Sequence, residues 1–237
     1  MDKIICLSNH TFDLLHQNYQ MGKEKMDVIY NGLSENYFIS DKQTLRLKYH
    51  IPNIPIILFV GRLHNMKGLT YALQAFKILL KTLTNCHFII VGNGVFDDYM
   101  KECEDIWMHV TWTGQVNKDK LYDLYSVSDI GVIPSFTEQC SYVAIEMMMH
   151  GLPMVTTAAP GLAEMTENGV NSLQVPMIEH TKRVEINTEL LAEKLLYLLQ
   201  HPDERQCMGK NARKRYETVY SAEIFRRNML DFYRSLF

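Results

Sequence analysis

The chain has no run of about 18 apolar residues, the length a membrane-spanning helix needs, and its formal net charge is only -3. No transmembrane span is expected, and a dedicated nucleic-acid binder would carry a basic surface that is missing here. The five cysteines (Cys6, Cys86, Cys103, Cys140 and Cys207) are odd in number and widely spaced, and no CxxC pair occurs. That arrangement does not suit a zinc site or a disulfide framework and reads as reduced thiols in a cytoplasmic protein. The nine histidines form no HxxxH or other compact ligand set, so a protein-bound metal is not expected. The opening MDKIICLSNHTFDLLHQ lacks the small-residue cleavage site of a signal peptide. A GxxxxGK Walker loop, internal repeats and low-complexity segments are absent as well.

What the chain does have is a rhythm of short apolar runs ending in turn residues. At 47% apolar and 22% charged over 237 residues, it can bury a sizeable core. Segment 54–61 (IPIILFVG) is nearly continuous in apolar residues, the pattern of a parallel strand buried on both faces. Segments 86–92 (CHFIIVG), 110–114 (VTWTG), 129–135 (DIGVIPS), 153–157 and 172–175 read as further strands. Between them, 69–83 carries Leu69, Leu73, Phe76, Leu80 and Leu83 at helical spacing. Shorter helices are predicted at 97–103, from a cap at Asn117 through Ser126, and over 142–150, where Gly151 ends the last. Strands alternating with helices in this way make an α/β fold, a Rossmann-like parallel sheet with helices on both faces. Segments 188–200, 203–220 and 221–237 give it a helical C-terminus, with Pro202 at a favoured helix start. Ligands of such sheets bind beyond the carboxyl ends of the strands. The loops after Gly61, Gly92, Gly114 and Ser135 are therefore expected on one rim.

Two of those loops carry chemistry. GRLHNMKG, 61–68, sets two fixed cations after a buried strand. Arg62 and Lys67 suit a diphosphate, which a guanidinium can bind bidentately. A solvated loop with ordinary surface charge is the competing reading. PSFTEQCSYVAIEMMMHGLP, 134–153, places Glu138 and Glu146 eight residues apart at a strand-to-helix junction. A carboxylate accepts hydrogen bonds from vicinal sugar hydroxyls; a loop acid and a helix-start acid favoured by the dipole are the plainer alternatives. Gly92-Asn93-Gly94 and Gly114-Gln115-Val116 are either turns that let backbone approach a ligand or simple tight turns. Asp97-Asp98 reads as a helix start rather than a metal dyad. Met147, Met148 and Met149 read as packing, and His64 as an exposed loop residue.

Taken in order and each at a strand end, GRLHNMKG, FIIVGNG, TGQV and PSFTEQCSYVAIEMMMHGLP resemble the donor-binding half of the family 4 glycosyltransferases. Those enzymes have two facing Rossmann-like domains, the GT-B architecture. The resemblance implies transfer of a sugar from a nucleoside diphosphate, UDP first among the candidates, with retention of configuration and without a metal or other cofactor. It assigns Arg62 and Lys67 to the pyrophosphate, Glu138 to the donor sugar and Glu146 to the ribose hydroxyls. It also places Gly61, Gly94, Gln115, Val116, Gln139, Cys140, Ser141 and Tyr142 around the substrate, with Gln115 and Val116 near the base. Many members have Gly-Phe-Gly after the first glutamate, where this chain has Gln139-Cys140-Ser141-Tyr142. The bulkier residues reshape the sugar pocket, so donor-sugar identity does not carry over. Cys140 is expected to line that pocket rather than act as a nucleophile.

The resemblance further implies an order of parts. Residues 1–35 look like the end of an acceptor domain and a linker, 36–201 like the Rossmann-like nucleotide-sugar domain, and 202–237 like the C-terminal helices. On this reading most of the acceptor domain is absent. Either a separate N-terminal-domain chain or self-association would then complete the enzyme. Phe225, Leu230, Tyr233 and Phe237 are expected to form an exposed apolar patch. A nucleotide-sugar-binding module without turnover shares every motif, and a GT-B epimerase fits the fold but not the glutamate pair. The acceptor is not readable, and attachment at the inner face of a membrane stays open.

Overall fold

In a computed structural model that describes residues 3–35, 41–181 and 183–236, the chain opens with a small unit of its own. Strand β1 (Ile4–Cys6) leads into helix α1 (Asn9–Tyr19) and returns as β2 (Met26–Val28), parallel to β1 in a separate two-stranded sheet. The junction proposed at residue 36 falls outside the described residues. Helix α2 (Lys42–Lys48) follows, then β3 (Ile56–Val60), α3 (Leu69–Leu80), β4 (His87–Val91), α4 (Asp97–Cys103) and β5 (Val110–Gly114). Helix α5 (Lys118–Val127) crosses back to β6 (Ile130–Ile133), α6 (Tyr142–Met149), β7 (Met154–Thr157), α7 (Leu162–Met165) and β8 (Ser172–Val175). A hairpin of β9 (Met177–Glu179) and β10 (Val184–Ile186) precedes α8 (Thr188–Gln200), α9 (Pro202–Arg215) and α10 (Ala222–Arg234).

Strands β3 to β8 form one parallel sheet in the order β5-β4-β3-β6-β7-β8. The alternation within each strand feeds two cores. Ile57, Phe59, Phe88 and Ile90 face α3, α4 and α8, where Leu73, Phe76, Tyr99 and Leu195 are buried. Ile56, Leu58, Ile89 and Val91 face α2, α5 and α6, where Leu45, Tyr125, Ile145 and Met148 are buried. Met147, Met148 and Met149 are all core residues, as their run suggested.

Local chemistry fixes the helix ends. Asn117 accepts from the Lys120 N–H at 2.9 Å to start α5, and Asn187 accepts from the Leu190 N–H at 2.9 Å to start α8. Pro202 opens α9. Gly151, at φ 61°, ends α6 in a conformation that L-residues rarely adopt. Sequence reading missed α2 and the hairpin, both too short to show a period. Helix α2 is held by charge instead. Asp129, at the amino end of β6, takes Lys42 at 2.6 Å, Arg46 at 2.9 Å and the Ile56 N–H at 2.8 Å.

The last helix, α10, has no fully buried side chain. Phe225 packs against the backbone of Gly32, and Phe232 lies under Lys3, so the helix returns to the small opening unit. Of the expected exposed patch, Leu230 and Tyr233 are 49% and 53% exposed, Phe225 is instead half-buried by its packing on Gly32, and Phe237 lies outside the described residues.

Asp129→Ala would leave Lys42 and Arg46 part-buried without a carboxylate. It should lose about 3–5 kcal/mol in urea denaturation; a loss below about 1 kcal/mol would show that the network does not anchor α2.

Candidate functional site

The strand order reverses between β3 and β6, so the loops leaving their carboxyl ends diverge to opposite faces and open a crevice. One wall is 61–68. His64 accepts from the Met66 N–H at 3.2 Å and caps a short 3-10 turn, Asn65–Lys67, which closes at Gly68 with φ 66°. A Cβ at Gly68 would lie 1.9 Å from the Pro134 carbonyl oxygen, so only glycine lets this loop meet the opposite wall. There Phe136 N–H donates to the Met66 carbonyl at 2.9 Å. Neighbouring loops are joined in the same way, through Leu63 N–H to Asn93 at 2.9 Å and Gly92 N–H to Gly114 at 3.0 Å. The four loops expected on one rim do lie together.

Charge bridges the crevice. Lys67 Nζ donates to Glu138 Oε1 at 2.6 Å, and Ser135 Oγ donates to the same oxygen at 2.9 Å. Ser135 is itself held by Thr157, whose hydroxyl donates to its carbonyl. The Arg62 side chain, on the same wall as Lys67, is exposed and makes no hydrogen bond or ion pair among the described residues.

Two clefts meet at Val60, Gly61 and Arg62. The larger, about 750 Å³, runs between the ends of β3, β4 and β5 and is lined by Gly61, Arg62, Gly94, Gln115 and Val116. The smaller, about 290 Å³, lies over the reversal and is lined by Arg62, Lys67, Glu138, Cys140, Ser141 and Tyr142. Gln139 and Glu146 line neither cleft. Gln139 is an exposed loop residue whose carbonyl is crowded by Gly161. Glu146 is half-buried in α6, one turn beyond Tyr142, and its Oε2 accepts from the Tyr125 hydroxyl at 2.8 Å. Burial pushes the Glu146 carboxyl above the ordinary range, and the Tyr125 hydrogen bond and the Lys118 charge offset part of that. The Ser141 hydroxyl accepts from the Ala144 N–H at 3.4 Å and so caps α6. Burial raises the Cys140 thiol, which leaves it a pocket-lining group and a poor nucleophile.

The rim has comparable size elsewhere but different chemistry. A cleft of about 770 Å³ opens at the amino edge, near Ser128, Asp129 and Pro153. There Lys42 is paired with Asp129, and Arg213 with Glu35 and Glu217. Lys42 and Arg213 are thus met by protein carboxylates, whereas the Arg62 side chain at the carboxyl edge is not.

Residues 41–215 match the family described as Glycosyl transferases group 1. The chain belongs to that family. A glycosyltransferase of Methanocaldococcus jannaschii is 31% identical over 182 residues, covering 73% of this chain and 46% of the relative. The alpha-D-kanosaminyltransferase of Streptomyces kanamyceticus is 24% identical over 240 residues, covering 98% of this chain and 60% of the relative. The chain thus spans about half the length of the first of these relatives and three-fifths of the second. Among solved structures, sucrose-phosphate synthase of Thermosynechococcus elongatus superposes with TM-score 0.84 at 24% identity, over 98% of this chain and 57% of that one. Anabaena HepE in complex with UDP gives TM-score 0.82 at 21% identity, over 99% and 64%. The shared fold is that of GT-B glycosyltransferases.

For this glycosyltransferase-family chain, sequence reasoning missed several supports of the site. Ser135, Thr157 and Tyr125 hold the two glutamates, and Asn31 Nδ2 donates to the Cys140 carbonyl at 3.2 Å. Ser135 ends a predicted strand and was within reach of the motif; the others depend on packing. Among the described residues, no cluster of three or more His, Cys, Asp or Glu could hold a metal ion, and no helix is long and apolar enough to cross a membrane.

Burial makes the charged form of Glu146 unfavourable in the folded chain. Above its raised pKa that cost is present; as the group protonates at low pH the cost disappears. Glu146→Gln should therefore melt above the unmodified chain at about pH 8 and level with it at about pH 4, followed by circular dichroism. A variant that melts lower at the higher pH would contradict this.

Proposed function

We propose that the chain is the donor-binding part of a family 4 glycosyltransferase that transfers a sugar from a nucleoside diphosphate, UDP in the first instance, with retention and without a metal. The observation that carries this reading is the crevice at the strand reversal, with unpaired Arg62 on one side and the Lys67–Glu138 pair across it. UDP is favoured because structural neighbours such as HepE were solved with UDP and UDP-glucose.

The larger cleft takes the base, the ribose leaves it toward Glu146 on α6, and the smaller cleft takes the diphosphate end and the sugar. A lysine ammonium has three N–H donors. One is engaged by Glu138 at 2.6 Å, leaving two for phosphate oxygens. Arg62 adds a planar pair of donors suited to bidentate contact. As the bond between the anomeric carbon and the β-phosphate oxygen breaks, its electron pair stays on that oxygen, and the two cations offset the growing charge. The acceptor oxygen bonds to the same face of the anomeric carbon, and its proton passes to the departing phosphate. Glu138, fixed by Ser135 and Lys67, orients the sugar hydroxyls, while Glu146 takes the ribose. In the same reading β1, α1 and β2 belong to the acceptor side, and α10 braces them.

Arg62→Ala removes charge-assisted bonds worth about 1.5–3 kcal/mol, so UDP affinity by calorimetry should fall roughly 10- to 100-fold. Chelator should leave the unmodified chain's affinity unchanged. Equal UDP affinity in Arg62→Ala and the unmodified chain would sink the assignment.

A further inference from the structure

Glu146 is gripped from two directions by a cluster of which only His150 belongs to a motif, where it has no assigned role. Tyr125, on α5, is 1% exposed and donates its hydroxyl to Glu146 Oε2 at 2.8 Å. His150 holds the backbone of the same residue, its Nδ1 lying 2.8 Å from the Glu146 carbonyl. A carbonyl only accepts, so Nδ1 carries the proton. The cluster is close-packed: the Tyr125 and His150 rings are 5.1 Å apart at 32°, and Tyr122 meets His150 edge-on at 4.8 Å. Burial lowers the His150 pKa and keeps the ring neutral, while burial and the Glu146 charge keep Tyr125 protonated and a donor.

The consequence is asymmetry between the two carboxylate oxygens. Oε2 is tied to a side chain that packing does not let move, and Oε1 makes no hydrogen bond among the described residues. A glutamate on a helix surface samples several rotamers; one oxygen tied to a rigid donor selects among them. The geometry points to Tyr125 as a positioning residue of the nucleotide site: by holding Oε2 it sets the Glu146 rotamer in which Oε1 accepts from the vicinal ribose hydroxyls. This rests on the reading of Glu146 as the ribose ligand. The geometry also predicts which ligands feel the tyrosine. Those with both ribose hydroxyls depend on the rotamer, and those without them do not.

The test is calorimetry of the full chain with UDP and with 2′,3′-dideoxy-UDP. The unmodified chain should prefer UDP. In Tyr125→Phe that preference should shrink roughly fivefold or more, the size of one lost hydrogen bond, with dideoxy-UDP affinity unchanged. A tyrosine that merely stabilises the fold would weaken both nucleotides alike, and an unaltered preference in Tyr125→Phe would equally overturn the proposal. If the unmodified chain does not discriminate between the two nucleotides, the ribose reading of Glu146 falls first and takes the proposal with it. Should Tyr125→Phe fail to fold, Glu146→Ala supplies a background in which no buried charge loses its donor. Adding Tyr125→Phe there should leave the UDP preference of Glu146→Ala unchanged; a further change would refute positioning through Glu146.

Discussion

A parallel sheet whose strand order reverses cannot close its own rim. Where β3 and β6 lie side by side, α3 must leave to one face and α6 to the other, so the two loops part and a crevice forms between them. The clefts and charges of the candidate site are arranged around that divergence. Gly68 brings the walls into backbone contact at one point, and the Met66–Phe136 hydrogen bond fixes the spacing. The Lys67–Glu138 pair then sits across the gap at 2.6 Å. A crevice set by backbone is rigid before any ligand arrives, which lowers the ordering cost of binding.

Charge is arranged differently on the two edges of the sheet. At the amino edge, Asp129 meets Lys42 and Arg46, and Glu35 and Glu217 meet Arg213, a network that is structural. At the carboxyl edge, the Arg62 side chain has no protein partner among the described residues, and Lys67 has one carboxylate for three donors. Unmatched cations beside backbone N–H groups form an electrostatic site for an anion with several oxygens. The same divergence of roles runs through α6. Its apolar face, Ala144, Ile145 and Met148, belongs to the core, while Tyr142 and Glu146 share the face one turn apart that points back toward the rim.

How much of this the sequence carried depends on whether a feature is local. Strands β3 to β8 were legible as apolar runs because both faces of the sheet are covered, and Asn117, Gly151 and Pro202 marked helix ends by chemistry intrinsic to those residues. Helix α2, KQTLRLK, has only Leu45 and Leu47 as apolar residues, and Leu47 is exposed; its stability comes from Asp129, more than eighty positions away. The hairpin of β9 and β10 is three residues a side, too short for alternation to register. At the site, Arg62, Lys67, Glu138 and Glu146 could be picked out by residue type and spacing. That Glu138 pairs with Lys67, that Glu146 is half-buried, and that Tyr125 holds it could not. Those facts depend on which side chains the fold brings together, and Tyr125 in the sequence is one more apolar position on a helix.

The central claim is that the crevice at the strand reversal binds a nucleoside diphosphate. A crystal structure of the chain grown with UDP tests it most directly. The account predicts the diphosphate between Arg62 and Lys67, the ribose hydroxyls at Glu146 and the base against Gln115 and Val116. UDP seated instead in the cleft at the amino edge, among Lys42, Lys210 and Arg213, would contradict it.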